Sequence, residues 1–479
     1  MVKERKHKEW QGKNKKSYQT SKDNSTVSLI VGLFLISALI AFKNNPQLIY
    51  TILPKDSYFS PGILEHKFSE KILSSDNNNE NNQSVIAGAA EEFRTTNFTK
   101  IDKYASSVRY DGTSIFELAS LLSHYARTEA EKARIIYSWI AYNITYDVPA
   151  YLSGNYGDLS PQGVLKSRRG VCSGYANLYK ALARAMGLDV VVVDGYAKGY
   201  GYAIGNATQI NHAWNVVKIN KKWYLLDSTW GAGSINNGQF NRQFNPYYFA
   251  TPPRQLILDH FPAENKWQLL VKHYTKQKFD TIPKVSPEFF KDGLHLVSHH
   301  NQTIQANGRF QVVLSSPEDT IAISRLKFGS NLNDAYTFVQ KKDNKIIVNV
   351  APPVGDSELE IFSKNKRVSG PYQQAISYRV VSHNAGEEFP VIYSTFSENN
   401  SYLYAPLNKY LPTYQSVYFK VEVPNALEVQ VIGASSNKWI KLTRSGSMFE
   451  GNVPVGSDKI KVSAKFLGNT DYWTLVEYN

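Results

Sequence analysis

The chain has one cysteine in 479 residues, Cys172. A thiol becomes a useful nucleophile at neutral pH when its pKa is lowered, by a helix N-terminus or by an adjacent imidazole. Gly170-Val-Cys-Ser-Gly174 sets the sulfur at the first turn of a predicted helix, between small residues that let a substrate chain approach. Farther on, His212-Ala-Trp-Asn-Val-Val-Lys-Ile219 and Lys222-Trp-Tyr-Leu-Leu-Asp227 read as a hairpin around Asn220-Lys221. If that turn has two residues, Ile219 pairs with Lys222, His212 falls opposite Thr229, and Asp227 lies two residues off on the same face. Diagonal neighbours of this kind are about 7 Å apart, within reach of an imidazole–carboxylate hydrogen bond. A three-residue loop would break the parity. Cys172, His212 and Asp227 thus read as nucleophile, base and orienting carboxylate of a thiol triad. The competing readings are an inert or intermolecularly bridged sulfur, a core histidine on a backbone carbonyl, and a strand-end capping Asp.

The elements that must position these residues are legible. Thr128-Glu-Ala-Glu131 is a capping box, and the helix it starts places Ile136, Trp139, Ile140 and Ile144 on one face. A second helix runs from near Cys172 through Leu182 to Met186 and stops at Gly187, a residue suited to the left-handed C′ position. Asp189-Val-Val-Val-Val-Asp194 follows as a buried strand ahead of the hairpin. Helices first and an antiparallel sheet second make an α+β domain, placed at residues 101–280.

From about Val285 the helical period disappears, and short apolar runs such as Phe310–Leu314, Lys345–Val350 and Val417–Val423 recur between turn residues. Two β-sandwich modules are predicted, at 285–375 and 380–479, with a seam between Pro371 and Ser382. His295, His299 and His300 have no carboxylate or cysteine companion and read as solvated, and His124 and His260 read as structural, so no metal site and no cofactor is expected.

The net charge of +13 is concentrated at the start: eight Lys and Arg against Glu4 and Glu9 give the first 22 residues +6. This tail precedes the uncharged run Val27–Phe42, about 24 Å long as a helix, which gives it a topological reading in place of a nucleic-acid one. Residues 1–24 are read as a cytoplasmic tail, 25–43 as a single-pass transmembrane signal anchor, and 44–100, with the run Ser74–Ser84, as a flexible stalk. A cleaved signal peptide is the alternative. Either way the remainder is extracytoplasmic, in a cell membrane setting, and a lone cysteine there forms no internal disulfide.

Three stretches together resemble the transglutaminase-like superfamily: Arg168-Arg-Gly-Val-Cys-Ser-Gly-Tyr-Ala-Asn-Leu178, Asn211-His-Ala-Trp-Asn-Val216 and Trp223-Tyr-Leu-Leu-Asp-Ser-Thr-Trp-Gly231. Within it, Tyr248-Phe-Ala-Thr-Pro252, His260-Phe-Pro262 and Trp267-Gln-Leu-Leu270 are similar to the kyphoscoliosis peptidase group. The resemblance implies a papain-like catalytic core with Cys172 as nucleophile, His212 as base and Asp227 as orienting carboxylate. It lets Trp214 and Trp230 shape a substrate channel, against ordinary hairpin packing. It further implies attack on an amide of a protein or peptide, resolved by water in a peptidase or by an amine in a cross-linking transglutaminase. The contrasting expectation is a non-catalytic surface scaffold.

Overall fold

The computed structural model describes residue 93 and residues 95–202, 209–329, 331–433 and 438–479. The predicted tail, anchor and most of the stalk lie outside these residues, as does part of the Gly-rich loop before His212. Among the described residues no helix is long and apolar enough to cross a membrane. The described residues fall into two compact units, 149–157 and the remainder. The first holds most of a short helix, Val148–Ser153. The second contains an α+β domain followed by two β-sandwiches.

In the α+β domain, helices Thr99–Ser107, Ile115–Ser123, Glu129–Asn143 and Cys172–Ala185 precede an antiparallel sheet. Its strand order is Phe249–Thr251, Lys222–Leu226, His212–Ile219, Val190–Ala197, His260–Pro262. The capping box forms as expected, with Thr128 Oγ1 accepting from the Glu131 N–H and the Glu131 carboxylate accepting from the Thr128 N–H. The helix it opens is not amphipathic, however, because every residue from Ala133 to Ala141 is buried. It is the central helix of the domain, covered on all sides, so a periodic apolar face understates its burial.

That helix carries a charge into the core. Arg134 makes two parallel 2.8 Å bonds, Nε and Nη2, to the two oxygens of Asp102, and Ser138 Oγ donates to Asp102 Oδ1 at 2.6 Å. Four rings, Phe98, Tyr137, Phe244 and Phe249, surround the guanidinium with centroids 5.0–5.3 Å away. A buried cation is tolerated where a bidentate carboxylate and aromatic faces replace its water.

The strands beyond Val285 form two pairs of sheets, each pair around its own core. The first pairs Lys284–Val285, Gln373–Ser382, Gly355–Asn365, Thr320–Phe328 and Asn331–Asn333 in one sheet, with Thr303–Ala306 added parallel to Gln373–Ser382. Its second sheet runs His295–Leu296, Phe310–Ser315, Lys345–Val350, Thr337–Lys342, and the two faces close over Leu326, Val348, Ile361 and Tyr378. The expected seam at 371–382 is corrected: Gln373–Ser382 is a central strand of the first sandwich, paired with Gly355–Asn365 on one side and Thr303–Ala306 on the other. The second sandwich begins after it, at Val391–Ile392. The two modules are joined by a reciprocal pair. Buried Gln340 donates through Nε2 to the Leu403 carbonyl (3.2 Å) and accepts from the Leu403 N–H through Oε1 (2.6 Å).

Candidate active site

Cys172 is set by a short approach segment. Arg168 adopts left-handed backbone angles at the end of helix Pro161–Ser167. Its Nη2 donates to the carbonyls of Tyr110 and Gly112, and its guanidinium lies 5.6 Å from the Trp139 ring. Arg169 and Gly170 then pair in parallel with Thr145 and Tyr146, and Cys172 opens the next helix as its first residue. A helix N-terminus presents backbone N–H groups and the positive end of its dipole, a field that favours negative charge there. Cys172 is partly exposed. Gly174 does not serve access as expected: it is buried against Val164, where a Cβ would stand 2.9 Å from Cγ2. The helix is fixed from below by Tyr175 Oη donating to the Ile144 carbonyl (2.6 Å) and Asn215 Nδ2 donating to the Ala176 carbonyl (3.1 Å).

The hairpin register is as predicted. Asn220 and Lys221 both have positive φ, 49° and 66°, the signature of a two-residue I′ turn, and Ile219 pairs with Lys222 and Asn215 with Leu226. Extended by parity, His212 and Asp227 share a face, and His212 Nε2 lies 2.8 Å from Asp227 Oδ2. Cys172 is near enough to His212 to act with Asp227 in raising its pKa. With Nε2 committed to the carboxylate, Nδ1 is the nitrogen left for the sulfur. Burial lowers the His212 pKa, but the Asp227 carboxylate and the Cys172 sulfur outweigh it and raise it well above the ordinary histidine range. Asp227 is pushed up by burial, yet His212 and then His260 hold it well below the usual carboxylate range. It also caps the helix Ser228–Ala232, Oδ1 accepting from the N–H groups of Thr229 (2.7 Å) and Trp230 (3.2 Å).

The two tryptophans part company. Trp214 is 1% exposed and lies beneath the site, its ring 6.0 Å from that of His212, so it is a packing residue and not a wall of the substrate channel. Gly195 makes room for it, since a Cβ there would stand 2.5 Å from the far edge of the indole. Trp230 is partly exposed and lies 5.6 Å from the His212 ring.

Sequence reasoning missed His260. It comes from the edge strand His260–Pro262, which pairs with Val190–Ala197, and its Nε2 lies 3.1 Å from Asp227 Oδ2 while Nδ1 lies 2.7 Å from Asp259 Oδ1. Among the described residues, His212, Asp227 and His260 are the grouping whose donor atoms lie close enough together to hold a metal ion, within 4.8 Å of one another. Their mutual hydrogen bonds account for that closeness as a proton network.

Behind the same strand, Lys198 is 1% exposed, its N–H donating to the Asp259 carbonyl (3.0 Å) and its Nζ to the Ile282 carbonyl (2.8 Å). Burial dominates over the nearby Asp259 and Asp280 carboxylates and lowers its pKa from 10.5 to about 7. Between those two values the unfolded chain binds a proton that the native chain does not, so this group makes stability rise with pH in that window, and its full cost is present below pH 7. Lys198→Met should therefore gain on the wild type at acid pH: its stability difference should be more favourable by about 2–3 kcal/mol at pH 6 than at pH 9. Urea unfolding at the two pH values measures this, and an equal difference at both would refute it.

Comparison with known proteins agrees with the fold. Residues 117–228 match the family model of the transglutaminase-like superfamily. The chain carries a transglutaminase-like domain. Residues 276–393, directly after it, match a KY-like, immunoglobulin-like domain, which coincides with the first sandwich. Kyphoscoliosis peptidase of Homo sapiens is 32% identical over 289 residues, 59% of this chain and 42% of the relative. Hillarin of Drosophila melanogaster is 30% identical over 41% of this chain and 26% of its own length. Lim and transglutaminase domain protein ltd-1 of Caenorhabditis elegans is 28% identical over 44% and 31%. The matched stretch spans less than half the length of each of these relatives.

Proposed function

We propose that this protein is a cysteine-dependent amidase or peptidase acting on a protein or peptide. The observation that carries the reading is the continuous line from Cys172 through His212 to Asp227, with the sulfur at a helix start and the carboxylate 2.8 Å from the imidazole. The Cys172 thiol passes its proton to His212 Nδ1, the sulfur attacks the amide carbonyl carbon, and the carbonyl oxygen takes up the electron pair near the helix start. The C–N bond then breaks as His212 gives its Nδ1 proton to the leaving amine, and a thioester remains. Water attacks the thioester with His212 taking its proton, and the sulfur leaves. Hydrolysis is favoured over transfer to an amine by similarity to a relative named a peptidase. The uncharged run Val27–Phe42 behind a basic tail supports a single-pass anchor that holds this domain outside a cell membrane.

The test is acylation of the full chain by p-nitrophenyl acetate. A burst of nitrophenolate equal to one per chain, followed by slower steady turnover, and lost in Cys172→Ala, is expected. An amine that speeds the second phase and appears in the product would make the protein a transferase. A burst no larger than that of Cys172→Ala would refute nucleophilic catalysis.

A further inference from the structure

An ionised carboxylate offers about four lone-pair sites. At Asp227 all four are met: Oδ1 by the N–H groups of Thr229 and Trp230, Oδ2 by Nε2 of His212 at 2.8 Å and Nε2 of His260 at 3.1 Å. His260 is itself held between two carboxylates, with Asp259 Oδ1 at 2.7 Å from its other nitrogen. An imidazole whose two nitrogens both face ionised carboxylates must carry hydrogen on both, and is therefore a cation. The surroundings suit one: the rings of Trp230, Trp214 and Tyr248 stand 4.3, 5.1 and 6.2 Å away, and His260 is itself buried. The groups facing His260 that can titrate are Asp227, Asp259, His212 and Tyr248.

We propose that His260, kept charged by Asp259, is a positioning residue for the triad: it grips Asp227 Oδ2 from a second direction and so fixes the lone pair that orients His212. It also keeps the negative charge on Asp227, so that the His212 proton stays on the imidazole and is delivered to the leaving group. The working unit then has five members, Cys172, His212, Asp227, His260 and Asp259. This rests on the reading of Cys172 and His212 as nucleophile and base. Burial lowers the His260 pKa, and Asp259 first and Asp227 next outweigh it, giving a raised value that agrees with the geometry.

The single cysteine makes the test clean, because iodoacetamide alkylation followed by intact mass reports Cys172 alone. The full chain, His212→Ala, His260→Gln and Asp259→Asn are compared from pH 5 to pH 9. Asp259→Asn preserves shape, and its NH₂ can donate to the bare Nδ1 of a neutral His260 whose Nε2–H still faces Asp227, so it removes the charge and little else, and it serves even if His260→Gln unfolds. The wild type should alkylate at acid pH far faster than His212→Ala. Both other variants should have their rate profile displaced upward by about one pH unit, an approximately tenfold loss of rate at pH 6 that closes by pH 9. A wild type no faster than His212→Ala would overturn the nucleophile reading itself. A fast wild type with undisplaced profiles in the variants, whether their rates are unchanged or uniformly reduced, would leave that reading standing and overturn the positioning role.

Discussion

Asp227→Asn is expected to slow acylation of Cys172 by about 10³–10⁴-fold while the chain remains folded. The size follows from the acceptor count. An amide has one oxygen where the carboxylate has two, and both Asp227 oxygens accept two N–H donors. With the amide oxygen on the cap side, its NH₂ faces His212 Nε2, which must then present a lone pair. The His212 proton moves to Nδ1, and the ring can no longer accept from the thiol. With the oxygen turned toward His212, the NH₂ confronts the N–H groups of Thr229 and Trp230, and the cap of the helix Ser228–Ala232 is lost. Either placement leaves donors facing donors in a site from which water is excluded. The nitrophenolate burst rate, read by stopped flow beside a thermal unfolding curve, is the measurement. A variant that acylates within about tenfold of the wild type would show that Asp227 does not set the His212 tautomer.

The largest expected loss of stability is at Asp102. Its removal leaves the Arg134 guanidinium in the core among four rings with no counter-charge, and breaking a buried pair from one side costs about 3–5 kcal/mol. Asp102→Ala should show this in the denaturant transition of the transglutaminase-like domain. Removing both charges in Asp102→Ala with Arg134→Met should recover much of it, since the desolvation cost then disappears along with the attraction. The effect reaches the site because Phe249 of the cage follows Tyr248, whose carbonyl accepts the Asp227 N–H at 2.9 Å. A single-variant loss below about 1 kcal/mol would mean that water already reaches the guanidinium.

What was legible in the sequence was what local rules govern. The two-residue turn Asn220-Lys221 fixes the parity of the hairpin, and parity alone puts His212 and Asp227 on one face. The capping box and Gly187, whose φ is 81°, bound their helices for equally local reasons. Alternation names a face but not its depth, which is why Trp214 read as channel wall when it lies beneath the histidine. His260 was out of reach for another reason. It is 33 residues from Asp227, on an edge strand separated from the hairpin by the strand Val190–Ala197, and the pair was written only as the dipeptide Asp259-His260. The seam between the sandwiches failed because Pro371 and the turn before it look like a linker, although the strand that follows closes the first sandwich.

The four donors that occupy Asp227 come from three separate pieces of the fold: a central strand, a helix start and an edge strand. No one of them completes the carboxylate without the other two. Local opening of the edge strand His260–Pro262 would release one of the four donors without unfolding the domain, and under the proposed role of His260 it would slow the sulfur at acid pH while leaving it competent near pH ~9. The carboxylate thus reports on the local integrity of three elements at once.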